Sequence, residues 1–494
     1  MRATKVKRAV LVLATFGLAG CASEPWSKAL DEAPDEAALA TGISEDEPLK
    51  GPNAAPASAQ GADSSPAYLG PGHANDNERE TNEIRKHPIL SLTDVVRLAE
   101  LNSKDLLASY EAIVAAHGSV IAASVYPNPS IAFSSGAISA HGLYSQANGG
   151  PSHAIPLMPQ AAYTFTQPVV TGLRLVWARR EAVANEWAAR ATWQVLHRGN
   201  VQAVKTAYVN LLFAKQNLEL QEDLLRFAAD LDGIAEKQFV AGVLNAADRG
   251  AAAVALAQQR GVTEAARQAI PSAEALLAGL TGGIPVAASQ VTALLTGELN
   301  MAAEESLENV LEHGHPVLRA AQLAVSAAKA DTHLQRAVIW PDVGVSLGYE
   351  RDYLDSPPNR TFDTINFGLS FTLPIWDHNQ GQIITSDANL RAADATLEFT
   401  LQGLRSNLRS AYANVLAEKR QAEELSKNII PVAEKTLELT RKSFETGQSR
   451  IIDVLNARQN LAAAKNNLLT ALQTLDQSIA GIENLTGEKL LAIE

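Results

Sequence analysis

Apolar positions along this chain follow two rhythms. Over long stretches they recur every three or four residues, which marks one face of an α-helix. Over four short stretches they alternate with polar residues, as in a strand with one apolar face. The first helical stripe begins near Leu92, takes in Val95, Val96, Leu98, Ala99, Leu101, Leu106 and Leu107, and continues to about Val125. Tyr126-Pro127-Asn128-Pro129 ends it, since proline cannot continue a helix. Alternation follows, with Ile131 and Phe133 on one side and Ser130, Ala132 and Ser134 on the other. After a loop rich in Gly, Ser, His and Pro over about 139–160, Tyr163 and Phe165 alternate with Thr164 and Thr166. Residues 173–240 then read as one helix, roughly 100 Å long at about 1.5 Å per residue, and a helix returns over about 246–280.

The second half repeats this plan. Helix 306–339 ends at Trp340-Pro341. A strand follows with Val343, Val345, Leu347 and Tyr349 on one face and Asp342, Gly344, Ser346, Gly348 and Glu350 on the other. The fourth strand sets Ile365, Phe367, Leu369, Phe371 and Leu373 against Thr364, Asn366, Gly368, Ser370 and Thr372. A helix then runs to Asn428 and on past Pro431 to Phe444, and another covers about 450–486. Between the last two lies Phe444-Glu445-Thr446-Gly447-Gln448-Ser449-Arg450-Ile451-Ile452-Asp453-Val454. Phe239, Gly242 and Asp248 stand 205 residues before Phe444, Gly447 and Asp453. Each copy reads as a tight helix-to-helix turn, Gly242 or Gly447 supplying a left-handed C-cap and the aspartate sitting in the first turn of the outgoing helix.

Four alternating strands suit a barrel wall that faces lipid outside and water inside. Four strands cannot enclose a lumen, and open sheet edges cannot face lipid, so several protomers must share one barrel. No segment after the leader is a run of about 18 apolar residues, so no transmembrane helix is expected. The fold class expected is mainly α with a small membrane β part.

The amino terminus adds an address. Arg2, Lys5, Lys7 and Arg8 precede a short apolar run, Ala9 to Leu18, and then Leu18-Ala19-Gly20-Cys21 looks like a bacterial lipobox. Cleavage before Cys21 would remove four basic residues and take the formal charge from −13 to −17. Ala22, rather than Asp, resembles outer-membrane sorting. Cys21 is the only cysteine, which excludes an intrachain disulfide and a multi-cysteine metal site. The acidic balance argues against nucleic acid as a partner. The expected organisation is a signal peptide over 1–20, a lipidated extended tether over 21–88, a first repeat over 89–281, a connector over 282–303, a second repeat over 304–487 and a tail over 488–494.

Taken together, these parts resemble the TolC-like outer-membrane efflux protein family over about residues 90–487. The motifs are Tyr126-Pro127-Asn128-Pro129, Thr166-Gln167-Pro168, Leu373-Pro374-Ile375-Trp376-Asp377 with Asn379-Gln380-Gly381, and the two tips. The Pro-Asn-Pro and Leu-Pro-Ile forms look most like the branch serving heavy-metal efflux pumps. The resemblance implies a homotrimer, with a trimeric 12-stranded outer-membrane β-barrel continued by a long periplasmic α-helical barrel. It implies a periplasmic adaptor on the tips, an inner-membrane pump of the resistance-nodulation-division type, and a passive duct without catalytic site or cofactor. It carries over Asp453 as the aspartate at the pore constriction and Asp248 as the one that helps hold the closed state. The family often has a second acid where this chain has Asn456. Arg450 could pair with an acid and lock the tips. The bland reading of either aspartate is a favourable helix-start residue.

Two motifs point elsewhere. Gly344-Val345-Ser346-Leu347-Gly348 fits a nucleophile elbow, but alternation runs straight through Ser346. His313-Gly314-His315 could hold a metal, yet the first repeat has no histidine at the corresponding place. No phosphate loop or zinc-protease motif occurs. The competing class is a structural periplasmic helical lipoprotein without a channel, which leaves the four strands unexplained.

Overall fold

The structure is a computed structural model that describes residues 74–135, 161–291, 302–354 and 360–487. The expected signal segment, Cys21, the expected tether as far as 73, the expected loop over 139–160 and the expected tail lie outside the described residues. Among those described, residues 116–186 and 322–394 form one compact unit, and 74–115, 187–321 and 395–487 form another.

The first unit holds the sheet. Its strands are β1 (Ser130–Ser135), β2 (Ala161–Val169), β3 (Val343–Leu354) and β4 (Arg360–Phe371), antiparallel in the order β1-β2-β3-β4. Register sets Ile131, Phe165, Leu347 and Phe367 in one row and Phe133, Tyr163, Tyr349 and Ile365 in the next. Because side chains alternate across a sheet, these rows share a face. That face is bare: Phe367 is 82% exposed, Ile131 75% and Leu369 72%. At one end of it, Arg351 Nε and Tyr349 Oη donate to Asp363 Oδ1 at 2.8 and 3.0 Å, which closes the apolar band with a polar rim. At the other end Tyr126, Trp340 and Trp376 are exposed, where aromatic girdles of membrane barrels sit. The opposite face carries Ser130, Thr166 and Ser346 in one row and Thr164 and Asn366 in another.

The turn motifs build the junctions between strands and helices. Gln167 Nε2 donates to Pro127 O at 3.0 Å, so the motif leaving β2 holds the one entering β1. Gly172 has φ +67°, and a Cβ there would come within 2.8 Å of Ala337 O and of Trp340. Asn379, also left-handed at φ 62°, donates from its amide to Gln335 O at 2.8 Å, while its own N–H is taken by Asp377 Oδ1 at 2.9 Å. Asp342 is not a free polar-face residue as the alternation predicts. It ion-pairs with Arg174 and accepts from Thr171 N–H, and so pins the exit of β2 to the entry of β3.

The helices are α1 (Ala74–Ile84), α2 (Leu92–Asn102), α3 (Lys104–Ser124), α4 (Arg174–Val240), α5 (Ala246–Leu280), α6 (Glu304–Gly314), α7 (Pro316–Ala337), α8 (Gln380–Glu424), α9 (Ile430–Glu445) and α10 (Ile451–Thr486). The 67-residue α4 and the return over α5 match the periodicity. Four departures have local causes. Order begins before the expected end of the tether, since α1 buries Thr81 and Ile84, and Glu80 pairs with Arg97 of α2. The first part of the connector is packed too, with Val286, Ala288 and Val291 in the same core as Leu98, Tyr208 and Leu277. Each repeat's opening helix is broken, at Ser103 and at His315, both extended; Pro316 dictates the second break by restricting the residue before it. A π-turn, Leu425–Ile429, precedes Pro431. Tyr208 and Tyr412 are 204 residues apart whereas the two tips are 205 apart. The π-turn lies between them and absorbs the extra residue.

By length and composition, α3 is apolar enough to cross a membrane, which the absence of an unbroken apolar run did not suggest. Glu111 interrupts it, and His117 Nδ1 lies 3.2 Å from Glu186 Oε2.

Candidate functional site

Both tips lie in the second unit and have the same backbone. Gly242 and Gly447 take φ values of 76° and 75°, a region closed to side chains with a Cβ except at a cost. Val243 N–H reaches back to Gln238 O at 2.9 Å, and Gln448 N–H to Ser443 O at 2.8 Å. These are the long-range bonds of a Schellman cap, which satisfy carbonyls at the end of the incoming helix. A single apolar cluster unites the two hairpins beneath the tips, with Leu231, Ala235 and Ala252 from the first repeat and Phe444, Ile451, Val454 and Leu461 from the second.

On that base stand the three charged residues singled out by the sequence. Asp453 is exposed at the third position of α10, where its Oδ2 accepts from Arg450 N–H at 3.1 Å. Asp248 occupies the same position in α5, where its carboxylate accepts from Asn245 Nδ2 at 2.8 Å. Arg450 Nη2 lies 3.9 Å from Asp248 Oδ1. One chain therefore brings the Arg450 side chain and Asp248 together across the repeats, while the Asp453 carboxylate meets Arg450 only through the Arg450 backbone N–H. Arg450 is 74% exposed, so this pair contributes little stability by itself. Each aspartate does serve as a helix-start residue; only Asp453 keeps a carboxylate open for a further role.

Three buried charged residues in α10 were not anticipated, Arg458, Asp476 and Glu483, the last paired with Lys205. Arg458 is 6% exposed and donates from Nη2 to Leu224 O at 3.2 Å and to Gln259 Oε1. Burial holds its guanidinium below the usual arginine range. Asp476 is 5% exposed, and burial pushes its carboxyl up to about 7. A sequence signal existed for Arg458: it continues the stripe Ile451, Val454, Leu455, Leu461 at helical spacing.

The decoys resolve. Ser346 lies within β3, paired with Thr166 and Gly368, and its hydroxyl donates to Gly368 O at 3.3 Å, so no elbow forms. His315 is buried, accepts from Val317 N–H at 3.2 Å through Nδ1, and is driven down to about 4 by burial and by Arg198. His313 turns to Asn309 O instead. No group of three or more metal-binding side chains occurs among the described residues.

The profile of the outer membrane efflux protein family matches residues 95–283 and 307–488. The cobalt-zinc-cadmium resistance protein CzcC of Cupriavidus metallidurans is 26% identical over 294 residues, which is 59% of this chain and 68% of that one. The cation efflux system protein CusC of Escherichia coli is 25% identical over 309 residues, covering 59% of this chain and 64% of that one. The crystal structure of CusC superposes with a TM-score of 0.66 at 17% identity, over 80% of this chain and 91% of that one. The outer membrane protein VceC of Vibrio cholerae gives 0.66 at 17% identity, over 81% and 96%.

Proposed function

This chain belongs to the outer membrane efflux protein family, and from that premise we propose that it is the exit duct of a tripartite efflux system. Three copies share one barrel in the outer membrane, and their helices extend into the periplasm. The observation that carries this reading is the sheet: one face is apolar and exposed, and β1 and β4 each have an edge unpaired among the described residues. The apolar face calls for lipid over it, and the open edges cannot meet lipid unless further copies complete the wall. A purely structural helical lipoprotein would need neither. A periplasmic adaptor seats on the tips and an inner-membrane pump of the resistance-nodulation-division type supplies the energy. The chain itself acts by conduction rather than catalysis. Metal cations are the cargo this reading favours, because relatives named for cobalt-zinc-cadmium resistance and for cation efflux are similar to 59% of this chain and because the residue proposed for the aperture is acidic.

In the gate, Arg450 and Asp248 steady one hairpin against the other. Three Asp453 carboxylates line the narrowest point, where a ring of negative charge attracts cations and repels anions. Purified protein in planar bilayers should conduct with cation preference, and Asp453→Ala should weaken that preference and the block by multivalent cations from the periplasmic side. Glu350→Gln, on the polar face of the wider barrel, should change both far less. Equal behaviour of Asp453→Ala and the parent protein would reduce Asp453 to a helix-start residue.

Cys21 is the acylated amino terminus of the mature chain in this scheme. Mass spectrometry should find the lipid on Cys21, and Cys21→Ala should alter anchoring while leaving the trimer folded. A mature terminus at another residue, unmodified, would remove the lipoprotein assignment.

A further inference from the structure

Arg458 lies in a buried polar layer that crosses three helices, flanked on α10 by Ala457 and Leu461 of the apolar cluster of the tips. Besides its two bonds to Leu224 O and the Gln259 side chain, the layer runs from Gln259 Nε2 to Gln221 Oε1 at 2.9 Å. Gln221 Nε2 continues it to Asn217 Oδ1 at 3.1 Å and to Asn466 Oδ1 at 3.2 Å, and Thr263 Oγ1 bonds to Gln221 O at 3.1 Å. Gln221, Gln259 and Thr263 are 4%, 8% and 2% exposed. Every acceptor that meets the guanidinium is neutral, and Arg458 Nε is buried without a hydrogen-bond partner among the described residues. The packed seam between α10 and the α4–α5 hairpin therefore encloses a positive charge that has neither a carboxylate nor a full set of acceptors.

Such a charge works against the packing that encloses it. Removing an ion from water costs several kcal/mol, and neutral acceptors return only part of that. Water entering the seam would restore the remaining hydrogen bonds. We propose that Arg458 is a positioning residue that biases α10 toward separation from the α4–α5 hairpin, keeping the gate easy to open. The helix it displaces carries Asp453 little more than one turn away, so movement at Arg458 moves the aperture; this functional consequence rests on the duct reading above. The surrounding apolar cluster holds the seam shut, the exposed Arg450–Asp248 pair adding little, and Arg458 opposes it.

The test uses two substitutions that a simple clasp and an opposing charge answer differently. Arg458→Met removes the charge at similar volume, and Gln259→Glu supplies the missing counter-charge. If Arg458 opposes closure, both tighten the seam. If it is a clasp, Arg458→Met loosens the seam while Gln259→Glu tightens it. Amide hydrogen exchange over residues 455–466 of the purified trimer reads seam opening without reference to conduction. Both variants should slow it by about tenfold, equivalent to roughly 1.4 kcal/mol. Both should also lower the open probability of single channels in planar bilayers. Faster exchange in Arg458→Met, or no change in either variant, overturns the proposal. Should the parent protein form no channel at all, the duct reading fails while the exchange result still judges Arg458. If Gln259→Glu does not assemble, Arg458→Met alone decides, since its two possible signs are opposite.

Discussion

Phe367→Arg should abolish assembly in the outer membrane, while Asn366→Arg, at the adjacent position, should leave it intact. Phe367 lies in the middle of β4, in the row with Leu347, Phe165 and Ile131, and is 82% exposed. An arginine on the lipid face near the bilayer midplane costs about 2–4 kcal/mol. A shared barrel repeats that cost in every protomer. Asn366 points to the other face, in the row with Thr164 and Gly348, where water solvates a guanidinium. The measurement is heat-modifiable trimer mobility in the membrane fraction. Both residues are exposed within one chain, so opposite outcomes one residue apart would mean that something outside the chain covers the apolar face. Were both tolerated, the exposed apolar rows would not be a lipid face.

Asp476→Asn should raise the thermal stability of the trimer at pH 8 and have little effect at pH 4. The carboxyl is 5% exposed, and its Oδ2 has no hydrogen-bond partner among the described residues. Burial moves it from 3.8 to about 7 in the folded chain. The sign follows from linkage. Because the folded value lies above the unfolded one, the protonated carboxyl favours folding; its contribution is fully present below pH 3.8 and is lost as pH rises through about 7. The full span corresponds to about 4 kcal/mol per protomer, an order-of-magnitude figure. Asparagine is uncharged at every pH and removes the alkaline loss. His315 acts in the opposite sense. With its value lowered from 6.5 to about 4, the neutral ring favours folding, and that contribution is lost as pH falls through this window. Melting curves from pH 4 to pH 9 separate the two. An unchanged pH profile in Asp476→Asn would mean that water reaches the carboxylate and burial is not felt.

What could be read without a structure was what short-range chemistry specifies. Alternation of two residue classes identified the four strands and their apolar faces, because side chains must leave a pleated backbone on alternate sides. Proline at Pro127, Pro168, Pro341 and Pro374 marked where helices and strands meet, since proline restricts its own φ and lacks an N–H. Gly242 and Gly447 marked the tips, because only glycine turns left-handed there without strain. The repeat then ordered these pieces, and family resemblance supplied the trimer.

Tertiary structure decided the features in which one residue depends on partners far along the chain. Helix α1 is polar enough to pass for tether, and only docking of Thr81 and Ile84 makes it part of the core. Arg450 meets Asp248 although 202 positions separate them. Charged residues on a helix are ordinarily solvated, so although Arg458 falls on the apolar stripe of α10, the pattern does not say how far it is buried, and it says nothing of Asp476. Burial of Arg458 follows from helices of the other repeat closing over it, which brings Leu224 and Gln259 onto its guanidinium. Periodicity reports which face of a helix is apolar; how much water a charge on that face retains is set by whatever packs against it, and that is a property of the assembled fold.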